Sequence, residues 1–597
     1  MANVFPGWYF LLDVRPRPKL WRRTIAPAIL ASFALLSRSA EAQLTQGIAA
    51  QPDPPSTVHG RVLNRLTHEP VGRALVFSPD QRYATLTDDE GRFEFKFPPR
   101  VPESSENLAA ITDPEALRNA YRARQIRMLQ NARPDTFLAR KPGFLQNGSK
   151  PPGAQIAANQ SEIVIYLDPE SLIVGHVNLP GSEGDMRIVT NLYRREVREG
   201  QERWDLARTF TTWADGEFRF SELSAGIYKL GSGEQLDRDP LSFVPGGPLF
   251  GFAPIFYPGA TDFSVAGAIE LGAGATFQAT LSPLRHAYYP VKIPIRNAAA
   301  DQSVTLRIYP LGHPGPGYSL GYNSAEQLIQ GSLPDGNYTV EADARGGQSG
   351  STGFLNFSVS GGPSEGSALT LVPKTSLIVT VKEEFTSAQS TSPVMNMAPV
   401  EGAFSPAQQR RVFVQVTLTP VGEFGSAEMA VSQPVENSQE NALVIPNVHP
   451  GRYRVHVVTG IGFAASIVSG GTDLLRQPLV VGLGGSSSPI EITLRDDGAV
   501  VDGKAEEATE CHVYFLPVAE GSGQFREANA TQDGSFFLGQ LPPGTYRVLA
   551  FDSPQNDLAY ADAEAMRKLE SKGQVIHVDA SQKEHLRVKI ISGGDSQ

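Results

Sequence analysis

Few residues in this chain have the type and spacing that chemistry needs. Gly-x-Ser-x-Gly, the spacing of a serine nucleophile, occurs at Gly317-Tyr318-Ser319-Leu320-Gly321 and at Gly362-Pro363-Ser364-Glu365-Gly366. A nucleophile elbow needs a strand running into the turn and a helix leaving it. The first match follows the loop His313-Pro314-Gly315-Pro316 and leads into an expected strand; the second sits in a Gly/Ser-rich turn. Both read as loops. A zinc hydrolase would need a His-x-x-Glu pair and a distant His, yet none of the ten histidines begins His-x-x-Glu. His-Glu-x-x-His and the phosphate-cradling Gly-x-x-x-x-Gly-Lys-Ser/Thr are also absent. Gly460-x-Gly462-x-x-Ala465 follows an expected strand, but Ser469-Gly470-Gly471 leaves little room for the helix of a dinucleotide site. Asp88-Asp89-Glu90 is the densest acidic turn and could hold Ca²⁺, although Gly91 and the Phe-x-Phe after it explain the turn without metal. Cys511, the only cysteine, lies in an expected strand and reads as a buried thiol; a nucleophile or an intermolecular bridge is the alternative. Rings that could stack on a sugar are Trp204, Trp213 and Tyr257, the last closing the run Phe250, Phe252, Phe256, Tyr257. That run would form a binding patch if exposed and cap a sandwich or a joint if packed. No cofactor is expected.

The elements that must position these residues are strands. Gly (57) and Pro (46) in 597 residues favour many turns and short strands. Long stretches alternate Val, Ile, Leu, Tyr and Phe with Thr, Ser and Arg, the period of half-buried strands. The length allows about four to six domains.

Residues 1–42 read as an export signal. Arg15, Arg17, Lys19, Arg22 and Arg23 precede an apolar run over 24–36, and Ala40-Glu41-Ala42 offers a cleavage site. An uncleaved anchor is the alternative. That segment carries six Lys/Arg and two Asp/Glu, so its removal makes a chain of net charge −11 more acidic still. An acidic chain without a basic stripe argues against nucleic acid and anionic membrane surfaces. No later stretch is apolar enough to span a membrane.

One motif repeats. Asp215-Gly216-Glu217-Phe218-Arg219-Phe220 leads to Leu223 and then Gly226-Ile227-Tyr228. Asp533-Gly534-Ser535-Phe536-Phe537-Leu538 leads to Leu541 and then Gly544-Thr545-Tyr546. Asp-to-Gly spacing is 11 and Asp-to-Tyr spacing is 13 in both. Gly336-Asn337-Tyr338 and Gly451-Arg452-Tyr453 keep the second half, with Leu328 and Leu443 where Phe218 and Phe536 stand. Asp-Gly makes a tight turn, because Gly accepts φ > 0 and Asp bonds nearby backbone. Phe-x-Phe (Phe-x-Leu in the last copy) is a strand with both apolar groups on one face. Gly-x-Tyr starts the next strand, and such a Tyr can hydrogen-bond back to the corner it has just turned. The repeat therefore encodes an antiparallel hairpin in a core, which is scaffold.

Residues 101–150 interrupt the first unit with an expected helix, N-capped at Asp113-Pro114 and running to about 131. Leu117, Tyr121, Arg124 and Met128 share one face; the arginines of this helix would dock an acidic partner, form a solvated face or cover the neighbouring sandwich. A strand over 161–167 closes this unit. Further strands near 276–281, 368–371 and 490–494 close the next three. A loop is expected over 387–406 and a short helix over 561–571. The resulting division is 1–42 signal, 43–56 linker, and sandwiches over 57–169, 170–283, 284–373, 374–494 and 495–597.

The opening of the first unit resembles the carboxypeptidase regulatory-like domain. The family pattern V-x-G-x-V is matched by Val58, Gly60 and Val62, followed by Pro70, Ala74 and Val76, then Thr87-Asp88 with Gly91-x-Phe93-x-Phe95. The Asp-Gly and Gly-x-Tyr blocks of the second and fifth units look like the same family. Tyr257-Pro258-Gly259-Ala260-Thr261 resembles a recurrent element of bacterial exported proteins carrying such domains. The resemblance implies tandem seven-stranded, transthyretin-like antiparallel β-sandwiches without chemistry of their own. The expectation is thus a noncatalytic exported scaffold or binding protein of the cell envelope (periplasmic, surface-bound or secreted), whose partner is an envelope protein or polysaccharide. The alternatives are a carbohydrate-binding protein using Trp204, Trp213 and Tyr257, and an enzyme with an unrecognised site.

Overall fold

The computed structural model describes residues 57–97, 113–131, 133–146, 152–156, 161–180, 187–237, 249–298, 303–346, 350–386, 413–422, 429–434, 443–484, 488–506, 511–518, 524–531, 533–552, 554–555 and 558–591. The export signal, the linker and the loop expected over 387–406 lie outside them.

The molecule is all-β, with two helices among the described residues. Alternation in the first strand, Thr57–Asn64, sends Val58 and Val62 inward and His59 and Arg61 outward. It pairs antiparallel with Arg92–Lys96 and parallel with Glu162–Leu167. A second sheet, from Leu75–Phe77, Ala84–Leu86, Thr136–Arg140 and Gly153–Gln155, covers the rings of Phe93, Phe95 and Phe137.

The same wiring recurs four times. Ser171–Val177 lies between antiparallel Glu217–Leu223 and parallel Thr276–Leu281. Arg285–Arg296 lies between Leu328–Leu333 and the pair Ser364–Glu365 and Leu369–Thr370. Thr375–Glu384 lies between Leu443–Val448 and Ile490–Arg495, and Ala499–Glu506 between Ser535–Leu541 and Lys583–Ile591. Because first and last strands run parallel, the chain enters each unit at one end and leaves at the other. Five clusters of buried side chains follow in order, spanning 58–167, 173–281, 291–371, 377–494 and 499–588. Each fully buried Val, Leu, Ile or Phe contributes about 1.5–3 kcal/mol.

Three glycines show why the first strands read as they do. A Cβ on Gly60 would stand 2.3 Å from the Phe93 ring; on Gly175, 2.6 Å from Phe218; on Gly503, 2.5 Å from Phe536. The first ring of each Phe-x-Phe lies across a glycine of the neighbouring strand.

The helix of the first unit is Pro114–Asn131, and the Asp113 carboxylate accepts the N–H groups of Glu115 and Ala116. Its Tyr121 and Arg124 are exposed, and the Met128 side chain lies outside the described set. The last unit's helix is shorter than expected. It covers Ala563–Arg567, capped by Asp562, and gives way to turns over 568–571, while Met566 and Leu569 pack onto a side cluster with Tyr514 and Phe551.

Two of the joints between units shape the row. Gln235–Leu236 and Leu249–Phe252, from the second unit's segment, extend the third unit's sheet by pairing with one another and with the start of Arg285–Arg296. The tip of the hairpin Val189–Arg198 and Gln201–Thr211 reaches the fifth unit, where Ala561 N–H donates to Gly200 O at 3.0 Å. The row therefore curls back on itself, with the second unit touching both the fourth and the fifth.

Candidate functional site

The repeat residues occupy equivalent corners. Gly91, Gly216 and Gly534 adopt φ of 71°, 83° and 77°, the left-handed turn that the Asp-Gly spacing predicts. The carboxylates of Asp215 and Asp533 accept the N–H two residues on. Four tyrosines donate to the carbonyl four residues back: Tyr228 to Ser224, Tyr338 to Pro334, Tyr453 to His449 and Tyr546 to Pro542, at 2.6–2.9 Å. Gly226, Gly336, Gly451 and Gly544 open the strands that carry them.

The chemistry-bearing residues stay apart. Ser319 lies just before the strand Gly321–Asn323, with no helix leaving the turn, and its N–H donates to Glu234 Oε2 at 3.1 Å. Ser364 is in a strand and its hydroxyl donates to Ser358 O at 3.0 Å. Phe463–Ser469, after Gly460 and Gly462, is a strand, so no dinucleotide-binding helix stands there. Cys511 is buried, which pushes its thiol pKa up. Asp88 Oδ1 accepts the Arg92 N–H at 2.7 Å within the acidic turn. Among the described residues, no three His, Cys, Asp or Glu side chains converge to hold a metal ion.

The three candidate ligand-facing rings part ways. Trp204 is corrected: it is 7% exposed, buried with Tyr193, Phe256 and Phe263. The Lys229 ammonium lies 4.7 Å from its ring and donates to Phe263 O and Ser264 O. The protein's own cation thus occupies the face a sugar would need. Tyr257 is corrected likewise, since it packs against the second core with its ring edge-on to Phe277 at 5.7 Å. Phe252 and Phe256 are buried, so the run 250–257 is packed. Trp213 is 49% exposed beside the Asp215-Gly216 turn.

A cleft of about 520 Å³ opens where the second, fourth and fifth units meet. The second unit supplies Val197, Glu199 and Gly200. Glu199 and Gly200 have φ of 50° and 71°, as a two-residue hairpin turn requires. The fourth supplies His456 to Thr459 and Gly462; the fifth supplies Phe525, Arg526, Glu527, Gln540, Leu558 and Tyr560. Phe525 stacks on Tyr560 at 4.6 Å and on Tyr514 at 6.2 Å, forming a column of rings. Gln540 reaches the cleft through a β-bulge: it has φ of 56° just before Leu541, where the register with Ala499–Glu506 shifts. Glu222 and Asn447 hold the same position before Leu223 and Val448, also with positive φ and a register shift.

Both cleft glutamates face histidines, Glu199 with His456 at 3.5 Å and Glu527 with His512 at 3.3 Å. Arg526 differs. Its Nη1 donates to Phe525 O and its Nη2 to Gln524 Oε1, and no carboxylate among the described residues pairs with it. Burial lowers its pKa, while the Tyr546 and Tyr560 hydroxyls raise it. No sequence motif marks Arg526. The Glu199-Gly200 turn between two alternating runs was legible, but not its destination in another unit.

Trp213 and the Glu199-Gly200 turn stand at opposite ends of one hairpin, about 40 Å apart at strand rise. The exposed tryptophan is therefore not part of the cleft.

No protein-family model matches this chain, and no curated protein matches it. Among solved structures it is similar to a streptococcal ancillary pilin, at 11% identity and TM-score 0.15, over 51% of this chain and 98% of that one. It is similar to the minor pilin of Streptococcus agalactiae at 13% and 0.16, over 38% and 95%. It is also similar to the TIE protein of Bacillus anthracis at 8% and 0.13, over 90% and 100%. At such TM-scores nothing about this chain's function follows from theirs.

Proposed function

We propose that the chain is a noncatalytic, exported scaffold and binding protein of the cell envelope. Its units are 57–169, 170–283, 284–373, 374–494 and 495–597, sandwiches of the carboxypeptidase regulatory-like kind. The observation that carries this reading is the cleft built by three units distant in sequence, which exists only when the row is assembled. The five units supply frame, and the working surface is where they meet. Of the sugar-facing rings expected from the sequence, only Trp213 keeps an exposed face.

Val458 lines the cleft and is 45% exposed, so Val458→Trp fills the space without disturbing a core. The mature chain, immobilised, is expected to retain envelope material that the variant does not. Equal retention by both would remove the cleft from the function.

A further inference from the structure

We infer that the three-unit cleft seats a carboxylate-bearing sugar, a uronate, with Arg526 as the group that takes its carboxylate. This inference rests on the reading of the cleft as the ligand seat.

Arg526 lines the cleft half-buried, and no carboxylate among the described residues pairs with it. Arg526 uses one N–H on Phe525 O and one on Gln524 Oε1, and a guanidinium has five in a planar fork. The remaining fork matches a carboxylate. The cleft's own glutamates are held elsewhere: Glu199 faces His456 and accepts the Tyr560 hydroxyl, and Glu527 faces His512.

The rest of the lining selects the body that carries the carboxylate. Phe525 and Tyr560 give the lining an apolar border, and Gln555 shares the cleft with them, the pairing that a hydroxylated ring requires. A volume of about 520 Å³ suits a small ligand or one end of a longer glycan.

Calorimetric titration of the full mature chain with trigalacturonate tests the inference, with galactotriose and triglutamate as comparison ligands. Trigalacturonate is expected to bind, with galactotriose at least about tenfold weaker. Arg526→Gln is expected to weaken trigalacturonate by about ten- to a hundredfold, and Arg526→Lys to recover only part of that loss. Val458→Trp, which leaves Arg526 in place, is expected to block binding and covers the case in which the arginine variants misfold. Equal affinity for galactotriose would overturn the carboxylate assignment while leaving the cleft as a ligand seat. Tighter binding of triglutamate would overturn the sugar. Binding of none of the three would overturn the inference, and the envelope-retention result with Val458→Trp would then decide separately whether the cleft binds anything.

Discussion

Glu234 is a carboxylate whose environment moves its chemistry into the neutral range. It sits at the joint between the second and third units, accepts the Ser319 N–H, and lies beside Tyr288. Burial pushes its carboxyl up to about 7 from an ordinary value of 4.5. Between those values the folded protein holds a proton that the unfolded chain has released. Stability at this joint therefore rises as pH falls from about 7 towards 4.5, and is lost as pH rises through about 7. Glu234→Gln keeps an acceptor for Ser319 and removes the charge. At pH 8 the variant is expected to be more stable locally by about 2 kcal/mol, a figure discounted for partial exposure, with the gap closing by pH 5. Hydrogen exchange at the Ser319 amide is the suitable measure, because five units need not unfold in one transition. A gap independent of pH would refute the assignment.

Among elements, the first strand of each unit carries the most information. Its neighbours are set by the Phe-x-Phe hairpin on one side and the parallel closing strand on the other. Gly60→Ala puts a methyl group within 2.3 Å of the Phe93 ring and 2.7 Å of Ile163 O. The first unit is expected to lose about 1–3 kcal/mol by overpacking. Phe93→Leu in the same chain should relieve only part of this, since the Ile163 carbonyl cannot withdraw. A double-mutant cycle read by urea unfolding of the first unit's own signals checks the coupling; additive losses would show that the ring does not meet the glycine. The sequence displayed Gly60 within a recognisable pattern, but Gly175 and Gly503 became visible as equivalents only when strand pairing laid each under its ring. The bulges at Glu222, Asn447 and Gln540 were likewise illegible. A polar residue before a buried Leu or Val has no distinctive look until its partner strand shows the register shift.

At the scale of the molecule, the parallel first and last strands would lay the units in a line, yet the hairpin tip at Glu199-Gly200 docks between the fourth and fifth. Gly200 has φ of 71°, and a Cβ there would stand 2.7 Å from the Tyr560 ring. Gly200→Val is expected to loosen this contact and enlarge the radius of gyration in X-ray scattering. The far-ultraviolet dichroism should stay that of the parent. An unchanged scattering profile would mean that the contact does not hold the row closed. The same variant should weaken any ligand of the cleft, because Glu199 leaves with the tip.

The sequence by itself determined the strand-rich class, the Asp-Gly turns and the Gly-x-Tyr corners. These depend on local backbone geometry, on period-2 burial and on a hydrogen bond spanning four residues, all written within a dozen consecutive positions. Only the tertiary structure decided that Trp204 is closed off by Lys229, that Tyr257 packs on Phe277, and that Arg526 faces a cleft without a carboxylate partner. Those outcomes depend on which surfaces meet across tens or hundreds of residues. No local pattern encodes such contacts, because a ring or a guanidinium has the same sequence signature whether its neighbour is solvent, a lysine or another unit.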